Sequence, residues 1–105
     1  MKPLFIALLN YKKPLDEINE IREEHLKFIG KYTSSGKLLT AGRQNPPAGG
    51  TILAYNVTRE ELTEILQNDP YYLKGFVEHS IIEFTPGLCS EEFKNMIETL
   101  EGKER

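Results

Sequence analysis

The strongest constraint on the fold is a run of six consecutive apolar residues near the start of the chain. Residues 4–9 form this run, between Pro3 and Asn10. A short run without polar alternation is typical of a strand that is buried on both faces. It is too short to span a bilayer, and no small-residue cleavage site follows it. We therefore expect a cytoplasmic protein with a buried first strand and no membrane partner.

The pattern changes to a helical period over about residues 14–35. Apolar side chains recur on one side of the predicted helix, and charged side chains occupy the other. Pro14 suits the first helical turn, and Gly36 suits the position just past the end. We predict one amphipathic helix here, with an apolar side made of Leu15, Ile18, Ile21, Leu26, Phe28, Ile29 and Tyr32.

Shorter elements follow the first helix. Residues 37–42 and 51–57 are predicted strands that form a hairpin across a loop rich in Pro and Gly. Thr58 and Glu61 have the spacing of a capping box, which predicts a second helix ending near Asn68. A short helical turn stops at Gly75, and residues 76–85 are a fourth strand. Ser90 then caps a tail helix with a narrow apolar stripe of Phe93, Met96, Ile97 and Leu100.

This element order predicts an α+β fold of ferredoxin-like βαββαβ topology, with a four-stranded antiparallel sheet and an extra C-terminal helix. The length of 105 residues fits one domain. We assign residues 1–88 to the ferredoxin-like domain and residues 89–105 to a helical extension of it. The first and third strands are apolar on both faces, so a homodimer that packs two sheets face to face is expected. The tail helix either adds to that contact or folds back on its own subunit.

Composition excludes several classes of function. The net charge is -3, and acidic and basic residues are interspersed, so no basic stripe is present to bind nucleic acid. The one cysteine, Cys89, cannot form an internal disulfide and has no positive neighbour to activate it. His25, His79, Asp69 and Cys89 do not have the spacing of a metal site. We expect no metal and no cofactor.

His25 and Arg22 lie on the apolar side of the first predicted helix, His25 near its centre and Arg22 towards its flank. Burial of either group is unfavourable unless it finds a polar partner. His25 is therefore a candidate catalytic residue, and Arg22 is a candidate substrate ligand. The alternative is a core histidine bonded to one backbone carbonyl, with Arg22 extending to solvent.

Asp69 stands before Pro70, with Gly75 six residues later, and this pattern is typical of an N-cap that starts a short helix. A carboxylate has more acceptor sites than one cap uses, so Asp69 is also a catalytic candidate. Arg43 belongs either to a plain hairpin connection or to a flap that binds an anionic substrate. His79, on the fourth strand, has either a structural role or a place in a pocket or dimer interface.

Four of these stretches together resemble the YciI-like (YCII-related) family. They occur in the order and at the spacing of that family over about residues 4–85. The matching stretches are residues 22–26 (with His25), 36–42, 69–71 (with Asp69) and 75–79 (with His79). The resemblance implies the dimeric α+β barrel version of the ferredoxin-like fold. It also implies a pocket between helices and sheet with a His–Asp active site, whose positions match His25 and Asp69.

The resemblance implies an enzyme. A dehydrochlorinating elimination on a chlorinated aromatic is ascribed to one relative, and we do not carry that substrate over. Our hypothesis is that Asp69 fixes the tautomer of His25, whose other nitrogen transfers a proton on an unknown small molecule. The reaction would be a lyase, isomerase or dehydrochlorinase-like elimination, with Arg22, Arg43 and His79 as substrate ligands. The alternatives are a non-catalytic dimeric module that binds a small ligand, and a purely structural dimer.

Overall fold

The computed structural model describes residues 1–102 and shows an α+β fold. Its strands are β1 (Leu4–Tyr11), β2 (Leu38–Arg43), β3 (Gly49–Ala54) and β4 (Val77–Phe84). Its helices are α1 (Leu15–Glu20), α2 (Arg22–Ser34), α3 (Arg59–Gln67), α4 (Pro70–Leu73) and α5 (Glu91–Gly102). The sheet order is β2-β3-β1-β4, with antiparallel pairing throughout. The predicted ferredoxin-like fold with a tail helix is confirmed, although residues 103–105 of the predicted extension lie outside the described part.

The prediction of one helix over residues 14–35 is wrong. Ile21 has a φ of -113° and a ψ of 11°, so α1 ends one residue before it and α2 begins one residue after it. Ile18, before the break, and Ile21, at the break, are both buried. The spacing of apolar residues is therefore that of one continuous helix and does not reveal the break. Leu15 and Leu26, which we placed on the apolar side, are exposed.

β1 is a central strand of the sheet, as its apolar run predicts. Phe5, Ala7 and Leu9 alternate towards the helices and are buried in the main core. On that side they pack with residues of the helices and with Ile52 of β3. This layer of helices on the sheet contains the candidate site residues.

The predicted hairpin of β2 and β3 is present, with Arg43 opposite Gly50 in its register. The Gln44 N–H closes the connection by donating to the Gly49 carbonyl at 2.8 Å. A side chain at Gly49 would collide with the carbonyl group of Leu9, so only glycine fits where β3 begins beside β1. The hairpin therefore sets the end of β2, where Arg43 stands, close to β1.

The residues that were predicted to begin or end helices do so in the structure. The Thr58 hydroxyl accepts from the Glu61 N–H at 3.1 Å, and the Glu61 carboxylate accepts from the Thr58 N–H at 3.1 Å, which completes the capping box. Ser90 Oγ accepts from the Phe93 N–H at 3.1 Å. Gly75 ends the short α4 turn with a φ of 73°, a backbone conformation that favours glycine.

α5 folds back on its own subunit and covers one end of the second sheet face. Ile97 is 1% exposed and packs with Leu4 and Tyr55. The Tyr55 hydroxyl donates to Glu101 Oε1 at 2.9 Å and ties the end of the helix to the sheet. Met96 also belongs to the predicted apolar stripe, but its side chain is exposed next to this contact. No helix in residues 1–102 has the length and apolar character needed to cross a membrane.

The rest of the second sheet face carries apolar side chains that residues 1–102 leave uncovered. Ile82 and Phe84 of β4 are 48% and 42% exposed. Ile6 and Leu8 of β1 and Leu53 of β3 are partly exposed on the same face. The face thus forms an apolar row that crosses three strands.

Candidate active site

His25 and Asp69 are in direct contact. His25 lies on the first turns of α2, and its Nδ1 is 2.7 Å from Asp69 Oδ1, a separation of 44 residues in sequence. The His25 side chain is 13% exposed and that of Asp69 is 0% exposed. At this distance the imidazole N–H donates to a carboxylate oxygen, which makes a strong, charge-assisted hydrogen bond.

The position of Asp69 follows from the local sequence. Asp69 is the N-cap of α4, and its Oδ1 also accepts from the Tyr71 N–H at 3.1 Å. Pro70 occupies the first helical position, where its fixed φ favours the turn. One carboxylate oxygen therefore both caps α4 and accepts from His25, so the cap and the catalytic interpretation of Asp69 are compatible.

Tyr71 covers the other surface of the histidine ring. The rings of His25 and Tyr71 are stacked, with centroids 3.9 Å apart and planes 9° from parallel. The Tyr71 side chain is buried, and burial is the main cause that raises the pKa of its hydroxyl. Tyr11 adds to this rise, whereas the charges of Arg43 and Arg22 oppose it. The Tyr71 hydroxyl is therefore neutral near pH 7, and the charges of both arginines reach it.

A cavity of about 90 Å³ opens between α2 and the sheet. The floor is formed by β1, β2 and β3, and the opening is bordered by the exposed Leu26. Its polar and aromatic lining consists of Tyr11, Arg22, His25, Arg43 and Tyr71. The cavity thus combines one imidazole, two guanidinium groups and two phenols, a set that suits a small, flat, anionic molecule.

Arg43 is held at the cavity wall by two hydrogen bonds. Its Nε donates to the Tyr11 hydroxyl at 3.2 Å, and its Nη2 donates to Asn19 Oδ1 at 2.6 Å. The guanidinium carbon also lies 5.9 Å from the centre of the Tyr11 ring. Arg43 is the last residue of β2 and is anchored there, which fits the hairpin alternative better than the flap that we also considered.

His79 lies apart from the cavity lining, although it points to the same helix side of the sheet. It stands opposite Leu9 in the β1–β4 register, and its ring contacts that of Tyr72 at 4.5 Å between centroids. Burial lowers the pKa of His79, and the charge of Asp69 works in the opposite direction. Among the predicted site residues, the structure therefore brings His25, Arg22 and Arg43 to one cavity, with Asp69 bonded to His25 and His79 outside the cavity lining.

Comparison with known proteins identifies the family. The family model of the YCII-related domain matches residues 4–85. The chain belongs to the YCII-related domain family. No curated protein matches it significantly.

A solved structure shows the same fold as this YCII-related domain. 5-Chloro-2-hydroxyhydroquinone dehydrochlorinase (TftG) from Burkholderia phenoliruptrix AC1100, solved with 2,5-dihydroxybenzoquinone, superposes with a TM-score of 0.68 at 15% identity, over 80% of this chain and 95% of that one. SnoaB, a cofactor-independent oxygenase from Streptomyces nogalater, gives a TM-score of 0.47 at 9% identity, over 86% of this chain and 97% of that one. At 15% identity the likeness to the dehydrochlorinase is one of fold.

Two aromatic residues of the cavity lining, Tyr11 and Tyr71, were not predicted from the sequence. Tyr71 follows the Asp-Pro pair directly and is buried, whereas the next residue, Tyr72, is exposed, so the position after the pair does not by itself predict burial. Tyr11 follows the apolar run of β1, where strand alternation places it on the face of Leu9. Within residues 1–102, groups of three or more His, Cys, Asp or Glu side chains arranged to hold a metal ion are absent.

Proposed function

We propose that this YCII-related domain is a small-molecule enzyme in which His25 transfers a proton and Asp69 orients it. The observation that carries the proposal is the 2.7 Å contact between His25 Nδ1 and a fully buried carboxylate. His25 borders a cavity, so a proton acceptor, the group that orients it and a space for substrate occur together. This combination is what general base catalysis requires.

The proposed chemistry is an elimination or an isomerisation that needs no cofactor. With its Nδ1–H donated to Asp69, neutral His25 presents Nε2 to a substrate as a base. Nε2 removes a proton from a carbon atom, and the released electron pair forms a double bond as a leaving group departs from the neighbouring carbon with its own pair. Asp69 stabilises the imidazolium that results, and His25 then loses its proton to water or returns it to another substrate atom. A positioned base of this kind contributes about 10²- to 10⁴-fold in rate.

The cavity indicates a substrate class. Arg22 and Arg43 favour an anion such as a carboxylate or phenolate, and Tyr71 offers a flat surface beside the base. The volume of about 90 Å³ is small and suits a single ring or a short acid rather than a large metabolite. The dehydrochlorinase that shares this fold was solved with a dihydroxybenzoquinone, so hydroxylated ring compounds are the first class to screen.

We also propose that the enzyme is a cytoplasmic homodimer that uses the apolar row of the second sheet face. Ile82 and Phe84 are about half exposed and belong to a continuous apolar row. A monomer rarely leaves such a patch in contact with water. A second copy related by a two-fold axis would cover the row with the identical row of its partner.

Ile82→Lys should convert the dimer to a monomer in sedimentation analysis, whereas Glu78→Lys, on the polar end of the same strand face, should leave it dimeric. A wild-type monomer at all concentrations would contradict this.

The test of catalysis is a screen of small anionic ring compounds and hydroxy acids with the purified protein. The product should be formed by wild type and lost by about 10²-fold or more in His25→Gln, because glutamine keeps a donor for Asp69 but has no basic nitrogen. Lys27→Gln, an exposed change on the same helix, is the matched control and should retain full turnover. Equal turnover by His25→Gln and wild type would refute the role of His25.

The same screen separates the enzyme from a ligand-binding module. Binding that shifts the NMR signals of cavity residues, followed by release of the unchanged compound, would favour the non-catalytic alternative. A purely structural role of His25 predicts instead that the protein neither binds nor converts any compound of the screen. The stability of His25→Leu does not separate the two roles, because Asp69 loses its buried donor in either case.

A further inference from the structure

The carboxylate of Asp69 has a second oxygen that the contact with His25 does not use. Asp69 Oδ2 is buried and has no hydrogen-bond partner in residues 1–102. An ionised oxygen in this position is costly unless a donor reaches it. The Oδ1 atom already serves both His25 and the Tyr71 N–H, so Oδ2 needs a donor from another direction.

His79 carries the matching unsatisfied atom. His79 Nε2 is buried and likewise has no partner in the described part of the chain. Two neighbouring residues of α4 contact the two histidines: Tyr71 stacks on His25 and Tyr72 contacts the ring of His79. The buried carboxylate caps the same short helix that contacts both rings, and its charge acts on His79.

We propose that His79 is a second histidine partner of Asp69, with Nε2 linked to Oδ2 through one buried water. Asp69 is then shared by two imidazoles, one on each oxygen. His79 is a positioning residue in this arrangement, because it fixes which carboxylate oxygen faces His25. Protonated His79 then draws on the same carboxylate that accepts from His25.

The other groups around His79 leave Asp69 as the dominant charge. From β1 it meets the apolar Leu9, and from α4 it meets the uncharged Tyr72. Glu78 points to the opposite sheet face and pairs with Lys12 at 3.3 Å. Further along the strand, Glu83 is paired with Arg59 at 3.2 Å, and Val77 and Ile81, the neighbours on the same face, are apolar. The effect of Asp69 on the pKa of His79 agrees with this geometry.

The test is an NMR titration of the two histidines, the only two in the sequence. His79 is assigned by the signal that His79→Gln removes, and its titration midpoint is followed in three further variants. Asp69→Asn should shift the midpoint of His79 to lower pH, because the charge that favours its protonated form is lost. His25→Gln should shift it to higher pH, because the carboxylate is then no longer shared with a second imidazole and interacts more strongly with His79.

Glu24→Gln is the matched control, since it removes an exposed charge next to His25 in sequence, and it should leave the His79 midpoint unchanged. A His79 midpoint that does not move in His25→Gln, or does not fall in Asp69→Asn, overturns the proposal. Asparagine also caps helices, so Asp69→Asn is expected to fold; if it does not fold, the result for His25→Gln decides. The inference deepens the proposed function, on which its catalytic consequence rests, but the titration needs no substrate and can fail while turnover by His25 is confirmed.

Discussion

Replacement of Asp69 separates its role as a helix cap from its role as a charged partner of His25. Asp69→Ala removes the acceptor of both the Tyr71 N–H and His25 Nδ1. Loss of an N-cap costs about 1 kcal/mol, and a buried donor left without a partner costs about 1–3 kcal/mol. The Tyr71 side chain is buried and that of His25 nearly so, hence we expect a total loss of about 3 kcal/mol in the free energy of unfolding.

Asp69→Asn should be much milder, because the amide oxygen still caps α4 and still accepts from His25. Only the charge assistance of the hydrogen bond is lost, which costs about 1 kcal/mol. The two variants should therefore differ by about 2 kcal/mol, or roughly 10 °C in Tm for a chain of this size. Urea and thermal unfolding at one fixed protomer concentration would measure this difference. Equal losses in the two variants, or a loss below about 0.5 kcal/mol in Asp69→Ala, would refute the assigned contacts.

Two further predictions concern stability away from the cavity. Ile97→Ala should lower the free energy of unfolding by about 2–4 kcal/mol, because Ile97 is fully packed against the sheet; Met96→Ala, at an exposed neighbour, should cost far less in the same urea experiment. Lys37, which donates to Glu61 at 2.6 Å, is the main cause that lowers the pKa of Glu61, followed by the Thr58 N–H. The stability from this pair is present above the ordinary carboxyl pKa and is lost as the pH falls through the lowered one. Glu61→Gln should therefore cost about 0.5 kcal/mol at pH 7 and progressively less in acid.

The elements that the sequence predicts correctly carry strong local signals. The capping box at Thr58, the Asp-Pro start of α4 and Gly75 each specify a backbone position by their own chemistry. The apolar run of β1 specifies a central strand because an unbroken run must be buried on both faces. The order of such elements was sufficient to predict the ferredoxin-like topology.

The parts that the sequence does not predict depend on tertiary contacts. The break at Ile21 has no Pro, Gly or capping side chain to mark it, so packing overrides the helical period there. Tyr71 and His25 are 46 residues apart, and no spacing rule predicts that their rings stack. Arg43 was predicted as a candidate from its charge, but its partners Tyr11 and Asn19 come from two other elements.

The central claim, that Asp69 orients His25 as a base, is tested most directly by the tautomer of His25 in 15N NMR at a pH where the ring is neutral. We predict that the proton is on Nδ1, where it is donated to Asp69 Oδ1, and that Nε2 is unprotonated and available to substrate. In Asp69→Asn this preference should weaken, because the amide can present either a donor or an acceptor. A wild-type His25 that carries its proton on Nε2 would contradict the account, since Nδ1 would then face the carboxylate as a second acceptor.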